Sequence, residues 1–245
     1  MNNKSLSIVV PALNERPNLG PTVERLQRAL TEASIVDYEI IIINDGSTDG
    51  TGEVARDLAS RYKQIHAFDN AENQGLGASY VQGIGRASRN YFVYIPADNT
   101  WPLESFVALF KNMAGADIIT SYASNPEVRP WGRRSVSKLY TKTLNFLFHK
   151  KMNYFNGLTI YPMTYLRSTR IASHGFAFQA ELLMKALFQG FSYIELKLPI
   201  DERTAGFSKA VNLKNIMNVI TTVIRLFFEL QVSRRIQNKI ASVPD

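Results

Sequence analysis

Residues 91–101 read YFVYIPADNTW, an apolar run rich in aromatic and β-branched residues that breaks at Pro96 and delivers one carboxylate, Asp98, just past its end. Ligands of open α/β sheets collect outside the carboxyl ends of parallel strands, so an acid in that position reads as a metal or phosphate ligand. The chain before it repeats the pattern. Residues 6–11 (LSIVVP) and 38–43 (YEIIII) are continuous apolar runs, as expected of strands covered on both faces. Each leads into a polar turn and then a helical spacing of apolar residues: Leu19, Val23, Leu26 and Leu30 after the first, Val54 and Leu58 after the second. Strand, polar turn and helix in succession predict βα units and a mostly parallel sheet.

A short strand near 65–68 precedes Asn73-Gln74-Gly75-Leu76-Gly77, a turn that opens the next helix. It is either a plain tight turn or a place where free N–H groups favour an anion. After the 91–101 stretch come a helix carrying Leu103, Phe106, Leu109 and Met113 and a strand at 117–121, so a nucleotide-binding half ends near residue 122. Residues 129–151 then hold seven cations and no acid, on a helix whose expected apolar stripe is Val136, Leu139, Tyr140, Thr143, Leu144 and Leu147. Further on, the pattern predicts a strand at 158–161, a helix at 178–189 bearing Glu181, a strand at 193–198 and a polar loop at 199–209. The tail, 212–240, reads as amphipathic helix ending in Arg234, Arg235 and Lys239, placed to meet lipid phosphates.

Composition narrows the chemistry. The 245 residues are 45% hydrophobic and 20% charged, enough to build one large domain with an appendage. With no cysteine, disulfides, thiolate nucleophiles and Cys-bound metals are excluded, which is consistent with the cytosol. His66, His149 and His174 are scattered singly, so a metal is expected on oxygen ligands. The net charge of +7 favours an anionic partner. No nucleic-acid motif accompanies it, so nucleic acid is not expected. The sequence predicts no secretory leader and no spanning helix, since residues 216–230 are interrupted by Asn218, Arg225 and Glu229.

Four pieces in order, PALNE at 11–15, NDGSTDGT at 44–51, NQGLG at 73–77 and ADNTWP at 97–102, make the chain resemble the family 2 inverting glycosyltransferases of the GT-A fold. Two more, GFAFQAELLMKALFQGF at 175–191 and ERTAGFSK at 202–209, are similar to the polyprenyl-phosphate branch, the dolichyl-phosphate mannose synthases and their bacterial glucosyl relatives. The likeness covers about residues 5–210 and implies a GT-A α/β domain, 1–210, with a nucleotide-sugar half at 1–122, an acceptor half at 123–210, and membrane-surface or partner-docking helices at 211–245. It implies a nucleotide-sugar pocket lined by Pro11, Ala12, Asn14, Glu15, Asp45, Ala97 and Asp98, with Mg²⁺ or Mn²⁺ on Asp98 and Thr100. The acceptor it implies is a polyprenyl phosphate at the cytoplasmic face of a membrane, alone or with an integral membrane partner.

Moving a sugar off a nucleoside diphosphate requires the leaving diphosphate to be neutralised, which a carboxylate-held divalent cation does. Asp45 and Glu15 stand just past strand ends, where they can accept from a nucleobase or ribose, whereas Asp49 is assigned to turn and helix-cap chemistry. A phosphate monoester acceptor is already an anionic nucleophile and needs cations more than a base. Arg129, Arg133, Arg134, Arg203, Ser208 and Lys209 are the candidates, with Arg203 grouped with Asp98 at the reaction centre. The alternative acceptor, a glycan hydroxyl, needs a base, and Glu181 is the candidate. Two departures from the family matter: Pro96-Ala97-Asp98 stands where Asp-x-Asp is usual, and Asn44-Asp45-Gly46 where Asp-Asp-Gly is common. Fewer carboxylates weaken metal binding, and a non-catalytic transferase scaffold is the remaining alternative.

Overall fold

The computed structural model describes residues 4–173, 175, 177–202 and 219–230. Arg203, Ser208, Lys209 and His174, and the tail outside 219–230, lie outside the described residues.

The alternation of side chains along the apolar runs explains the layering. In β1 (Ser5–Ala12), Leu6, Ile8, Val10 and Ala12 enter one core and Val9 the other. In β2 (Asp37–Asp45), Ile40 and Ile42 face the first core and Ile41 and Ile43 the second. Residues that alternate in direction yet are apolar on both sides form a strand buried on both faces. β1 pairs in parallel with β2 and with β4 (Tyr91–Tyr94), and β2 pairs in parallel with β3 (Ile65–Asn70). The complete sheet has seven strands in the order β3-β2-β1-β4-β6-β5-β7, where β5 is Ile118–Ala123, β6 is Ile160–Pro162 and β7 is Tyr193–Leu198.

Helices α1 (Arg16–Glu32), α2 (Thr51–Arg61) and α4 (Leu103–Lys111) cover the first core. The second core receives α3 (Leu76–Arg86), α5 (Trp131–Phe148), α6 (Met163–Ser168), α7 (Phe178–Phe188) and the helical segment 219–230. The sheet is mostly parallel, as the βα pattern predicts. Its exception is β6, antiparallel to both β4 and β5. Apolar periodicity marks a strand but not its direction, which here follows from the chain returning across the sheet after α5.

Two details differ from the sequence reading. The short helix α6 was not expected. The α5 stripe splits: Leu144 is buried with Thr141 and Phe148, whereas Val136 is 48% and Leu139 68% exposed.

At the amino end of the parallel strands, Glu39 is buried and accepts hydrogen bonds from Ser7 Oγ at 2.7 Å, Ser88 N at 2.7 Å and Ser88 Oγ at 3.0 Å. Together with Ser7 Oγ accepting from Arg89 N and Ser5 Oγ from Asn90 N, this fixes where β4 enters the sheet. Burial pushes the Glu39 carboxyl up, but the Ser7 and Ser88 hydrogen bonds and the nearby Arg89 charge outweigh it and hold the group below its ordinary value. A depressed folded-state pKa contributes stability above the unfolded pKa and loses it as pH falls through the folded one. Glu39→Gln should therefore cost about 1–3 kcal/mol in urea unfolding at neutral pH. The gap between variant and parent should narrow as pH falls below about 4, and a gap independent of pH would contradict the assignment.

Candidate active site

The carboxyl ends of β1, β2 and β4 bring three loops together. The loop after β1 holds Asn14 at φ 56°, a left-handed conformation that an asparagine tolerates. From there its backbone is tied to the loop after β2. Asn14 N donates to Ser47 Oγ at 3.0 Å, Thr48 N to Asn14 Oδ1 at 2.9 Å, Glu15 N to Thr51 Oγ1 at 2.8 Å and Arg16 N to Asp49 Oδ2 at 3.2 Å. Asp49 also accepts from Thr51 N and Oγ1. Burial raises its carboxyl, but the hydrogen bonds from Thr51 and Arg16 together outweigh it and hold the group below the ordinary value, in keeping with a turn and cap residue. A polar cleft of about 200 Å³ opens at this turn, bordered by Asn44, Ser47, Thr48, Glu53 and Arg56 and by none of the residues around Asp98.

Asp45 ends β2 almost fully buried. Its Oδ1 accepts from Asn70 Nδ2 and Gln74 N, and its Oδ2 from Gly75 N, each at 2.9 Å. Two N–H groups of the NQGLG turn are thus directed to this carboxylate instead of to a ligand. Gly46 makes this close approach possible: at φ 71° it sits where an added Cβ would lie 2.5 Å from the Glu72 carbonyl carbon.

The third loop carries Asp98. Its Oδ1 accepts from Thr100 Oγ1 at 2.8 Å and from Thr100 N at 3.3 Å, while Oδ2 has no hydrogen-bond partner among the described residues. Helix α1 braces this loop from both ends. Thr22 Oγ1 donates to Ala97 O, and Arg25 Nη1 donates to Asn99 O and Trp101 O while pairing with Asp201 at 3.1 Å. Asp201 N in turn donates to Thr100 O, and the Asn125 side chain clasps the Ile200 backbone. The start of the 199–209 loop and the segment leading to α5 are therefore fastened to the same place as Asp98. Arg129 stands over the Tyr154 ring at 5.8 Å, and Arg133 and Arg134 follow half-buried in the first turn of α5.

No group of three or more His, Asp or Glu side chains able to hold a metal occurs among the described residues. Asp98 with one unengaged oxygen beside the Thr100 hydroxyl fits a cation completed by a ligand's own oxygens and by water, in place of a cage made by the protein.

Tyr94 is a candidate site residue that the sequence reading missed. It lies on the β4 face opposite Asp98's buried neighbours Ile95 and Ala97, with its ring 6.2 Å from both Tyr80 and Phe178. Burial raises its hydroxyl well above the ordinary tyrosine range, and the charges of Asp98 and then Glu15 raise it further, so it stays a neutral donor. No described residue takes its hydrogen bond. Its only signal in the sequence was a tyrosine inside an apolar strand, which reads as core.

Glu181 is not placed as a base. It is fully buried and its two oxygens accept from Ala172 N, Ser173 N, Ser173 Oγ, Lys185 Nζ and Arg225 Nη2. Burial pushes its carboxyl up, but the Lys185 and Ser173 hydrogen bonds bring it below the ordinary value. A general base must reach the proton it takes, and this carboxylate is enclosed. It joins α7 to the 219–230 helix, where Lys185 also pairs with Glu229 at 2.9 Å.

Residues 7–169 match the family described as Glycosyl transferase family 2. Polyprenol monophosphomannose synthase of Mycolicibacterium smegmatis is 30% identical over 215 residues, which is 82% of this chain and 79% of that protein. Dolichol-phosphate mannosyltransferase of Pyrococcus furiosus is 30% identical over 138 residues, 54% of this chain and 38% of that protein. Among solved structures, glucosyl-3-phosphoglycerate synthase from Mycobacterium tuberculosis, in complex with Mn²⁺, uridine diphosphate and glucosyl-3-phosphoglycerate, superposes with a TM-score of 0.66. It is 18% identical and covers 91% of this chain and 79% of its own, a likeness of fold.

Two substitutions separate site from scaffold. Tyr94→Phe keeps the ring packing and removes only the donor, and should weaken nucleoside diphosphate binding about tenfold with an unchanged thermal midpoint. Glu181→Gln removes the buried counter-charge of Arg225 and leaves Lys185 only its pair with Glu229, and should cost about 3 kcal/mol of unfolding free energy. A full-stability Glu181→Gln protein would contradict the scaffold role.

Proposed function

Because the chain belongs to glycosyl transferase family 2, and is a glycosyltransferase of the GT-A fold, we propose that it transfers a hexose from a nucleotide sugar to a polyprenyl phosphate with inversion at the anomeric carbon. The observation that carries this reading is the fastening of the Asp98 loop to both the 199–201 segment and the segment entering the basic helix α5. That fastening supports reading Asp98 and the candidate phosphate-binding cations as parts of one site. The relative that covers most of the chain is named for a polyprenol monophosphate sugar product, which agrees with that arrangement.

In this reading Pro11, Ala12, Asn14 and Glu15 border the nucleotide, with Asp45 holding the wall behind it. Asp98 and Thr100 hold a divalent cation, whose chemistry is to neutralise the departing diphosphate. Tyr94 donates a hydrogen bond to an oxygen of the donor beside them. Arg129, Arg133 and Arg134, with Arg203, Ser208 and Lys209 from the following loop, position the acceptor phosphate, whose oxygen attacks the anomeric carbon from the side opposite the nucleotide. The acceptor brings its own charge, so no general base is required, in accord with the enclosure of Glu181. A polyprenyl phosphate resides in a bilayer, so the reaction takes place at a membrane surface, at its cytoplasmic face. GDP-mannose and UDP-glucose are both suitable donors.

The test is transfer of label from each donor separately, with Mn²⁺ or Mg²⁺, to a short polyprenyl phosphate in detergent, read as butanol-extractable product. Product that falls at least about a hundredfold in Asp98→Ala is expected. Product insensitive to Asp98→Ala, or label appearing only in a glycan acceptor, would overturn the proposal.

A further inference from the structure

Residues 152–157, in the connection from α5 to β6, are held from both sides. The Asn145 side chain exchanges two hydrogen bonds with the Met152 backbone, at 3.0 and 2.8 Å. Glu195 on β7 accepts from Asn153 N at 2.9 Å, from Asn153 Nδ2 at 3.0 Å and from Tyr154 N. Gly157 O accepts from Gln179 Nε2 at 3.3 Å and from Thr159 Oγ1 at 3.2 Å. Met152 and Phe155 anchor the same stretch in the second core. Burial pushes the half-buried Glu195 carboxyl up, and the hydrogen bonds from Asn153 and Tyr154 offset this only in part. A carboxyl raised in the folded state works against stability at neutral pH, so the clasp fixes a geometry at some cost to the fold.

What the clasp places is the Tyr154 ring. Arg129 stands over it, 5.8 Å from guanidinium carbon to ring centroid, and has no ion pair among the described residues. A cation at that range is attracted to the face of the ring. The clasp is also in register with the donor side. β5 and β7 pair Thr120 with Glu195, β5 and β6 pair Ile119 with Ile160, and β4 and β6 pair Val93 with Ile160. Val93, Ile119 and Ile160 enter the first core and Ile194 and Leu196 pack against it, so their neighbours Tyr94, Thr120, Thr159 and Glu195 face the other side of the sheet. Continuing the same registers by one residue puts these four in a single row across β4, β6, β5 and β7. The Thr120 and Thr159 hydroxyls are 2.9 Å apart within it. The row begins at Tyr94, within reach of the Asp98 charge, and ends at the carboxylate that holds Tyr154.

We propose that Tyr154 is a positioning residue of the acceptor site: its ring is the platform that holds the Arg129 guanidinium, and Glu195 sets that platform in place from the same row of the sheet that carries Tyr94. An arginine on a surface samples many rotamers, and ordering it on binding a phosphate costs free energy. A ring beneath the guanidinium restricts it beforehand. It occupies the flat face of the group and leaves the N–H edges, which bind phosphate oxygens in pairs, directed outward. Arg129 itself follows Asn125, whose side chain clasps the Ile200 backbone, and Asp201 N donates to Thr100 O in the Asp98 loop. The cation is therefore placed by two independent fastenings, one through its own chain to the Asp98 loop and one through Tyr154 and Glu195 to the sheet. What Arg129 binds rests on the lipid-phosphate reading, whereas how it is held does not.

The experiment joins steady-state transfer to a short, detergent-soluble polyprenyl phosphate with chemical labelling of Arg129 in the full chain. Tyr154→Leu should raise the KM for the acceptor about fivefold, while kcat, the KM for the nucleotide sugar and the thermal midpoint stay as in the parent. Tyr154→Phe keeps the ring and should behave as the parent does. Glu195→Gln should raise the acceptor KM by less than Tyr154→Leu, because its amide oxygen still accepts from the backbone. In an Arg129→Ala background Tyr154→Leu should add nothing, since its effect passes through that cation. Independently of any acceptor, modification of Arg129 by phenylglyoxal, followed by peptide mass spectrometry, should be at least about twofold faster in Tyr154→Leu. An unchanged acceptor KM in Tyr154→Leu, a Tyr154→Phe protein equally impaired, or additive effects in the double variant would overturn the proposal. Equal labelling of Arg129 in parent and Tyr154→Leu would do the same. Faster labelling in Tyr154→Leu, with a parent that transfers nothing to polyprenyl phosphate, would keep the platform and remove the functional reading.

Discussion

Strands buried on both faces leave unpaired backbone groups only at their ends, and the structure around the site follows from how those groups are satisfied. At the carboxyl ends of β1 and β2 the two following loops satisfy each other: N–H groups of residues 14–16 donate to side chains of Ser47, Thr51 and Asp49, and Thr48 N donates back to Asn14. Loops locked in this way form a rigid rim with few degrees of freedom to lose on binding. Asp45 extends the rim to the 73–75 turn, and Arg25 and Thr22 extend it to the Asp98 loop. The polar residues of PALNE and NDGSTDGT therefore hold the two loops to each other.

This frame accommodates the loss of a carboxylate. With Pro96 in place of an acid, the loop holds one carboxylate oxygen, on Asp98, without a hydrogen-bond partner among the described residues, and Tyr94, whose hydroxyl burial and the neighbouring charges raise above the ordinary tyrosine range. In the proposed function a neutral donor near a carboxylate that would hold a cation suits a diphosphate, whose own oxygens would complete the coordination. In that proposal, fewer protein charges would make cation binding depend on the ligand being present.

Much of this was legible in the sequence, because its signals are local. The strands, most helices and the position of Asp98 follow from periodicity and from the polar turn after each apolar run, and the six motifs carry the family. What stayed hidden depends on long-range contact. The antiparallel direction of β6 has no periodic signature, and Glu181 resembles a base until Lys185 and Arg225 are seen to enclose it. Tyr94 resembles core until its neighbours Asp98 and Glu15 are known. On α5 both faces carry apolar residues, so the sequence alone chooses the covered one wrongly for Val136 and Leu139.

The central claim is that Asp98, as the single carboxylate of its loop, makes nucleoside diphosphate binding depend on a divalent cation. Calorimetric titration of GDP and UDP into the parent protein and Asp98→Asn, each with and without Mn²⁺, addresses it most directly. The account predicts that one of the two nucleotides binds the parent at least about tenfold more tightly when Mn²⁺ is present, and that Asp98→Asn loses this enhancement while retaining the weaker cation-free binding. Binding that ignores Mn²⁺, or an enhancement that survives in Asp98→Asn, would contradict it.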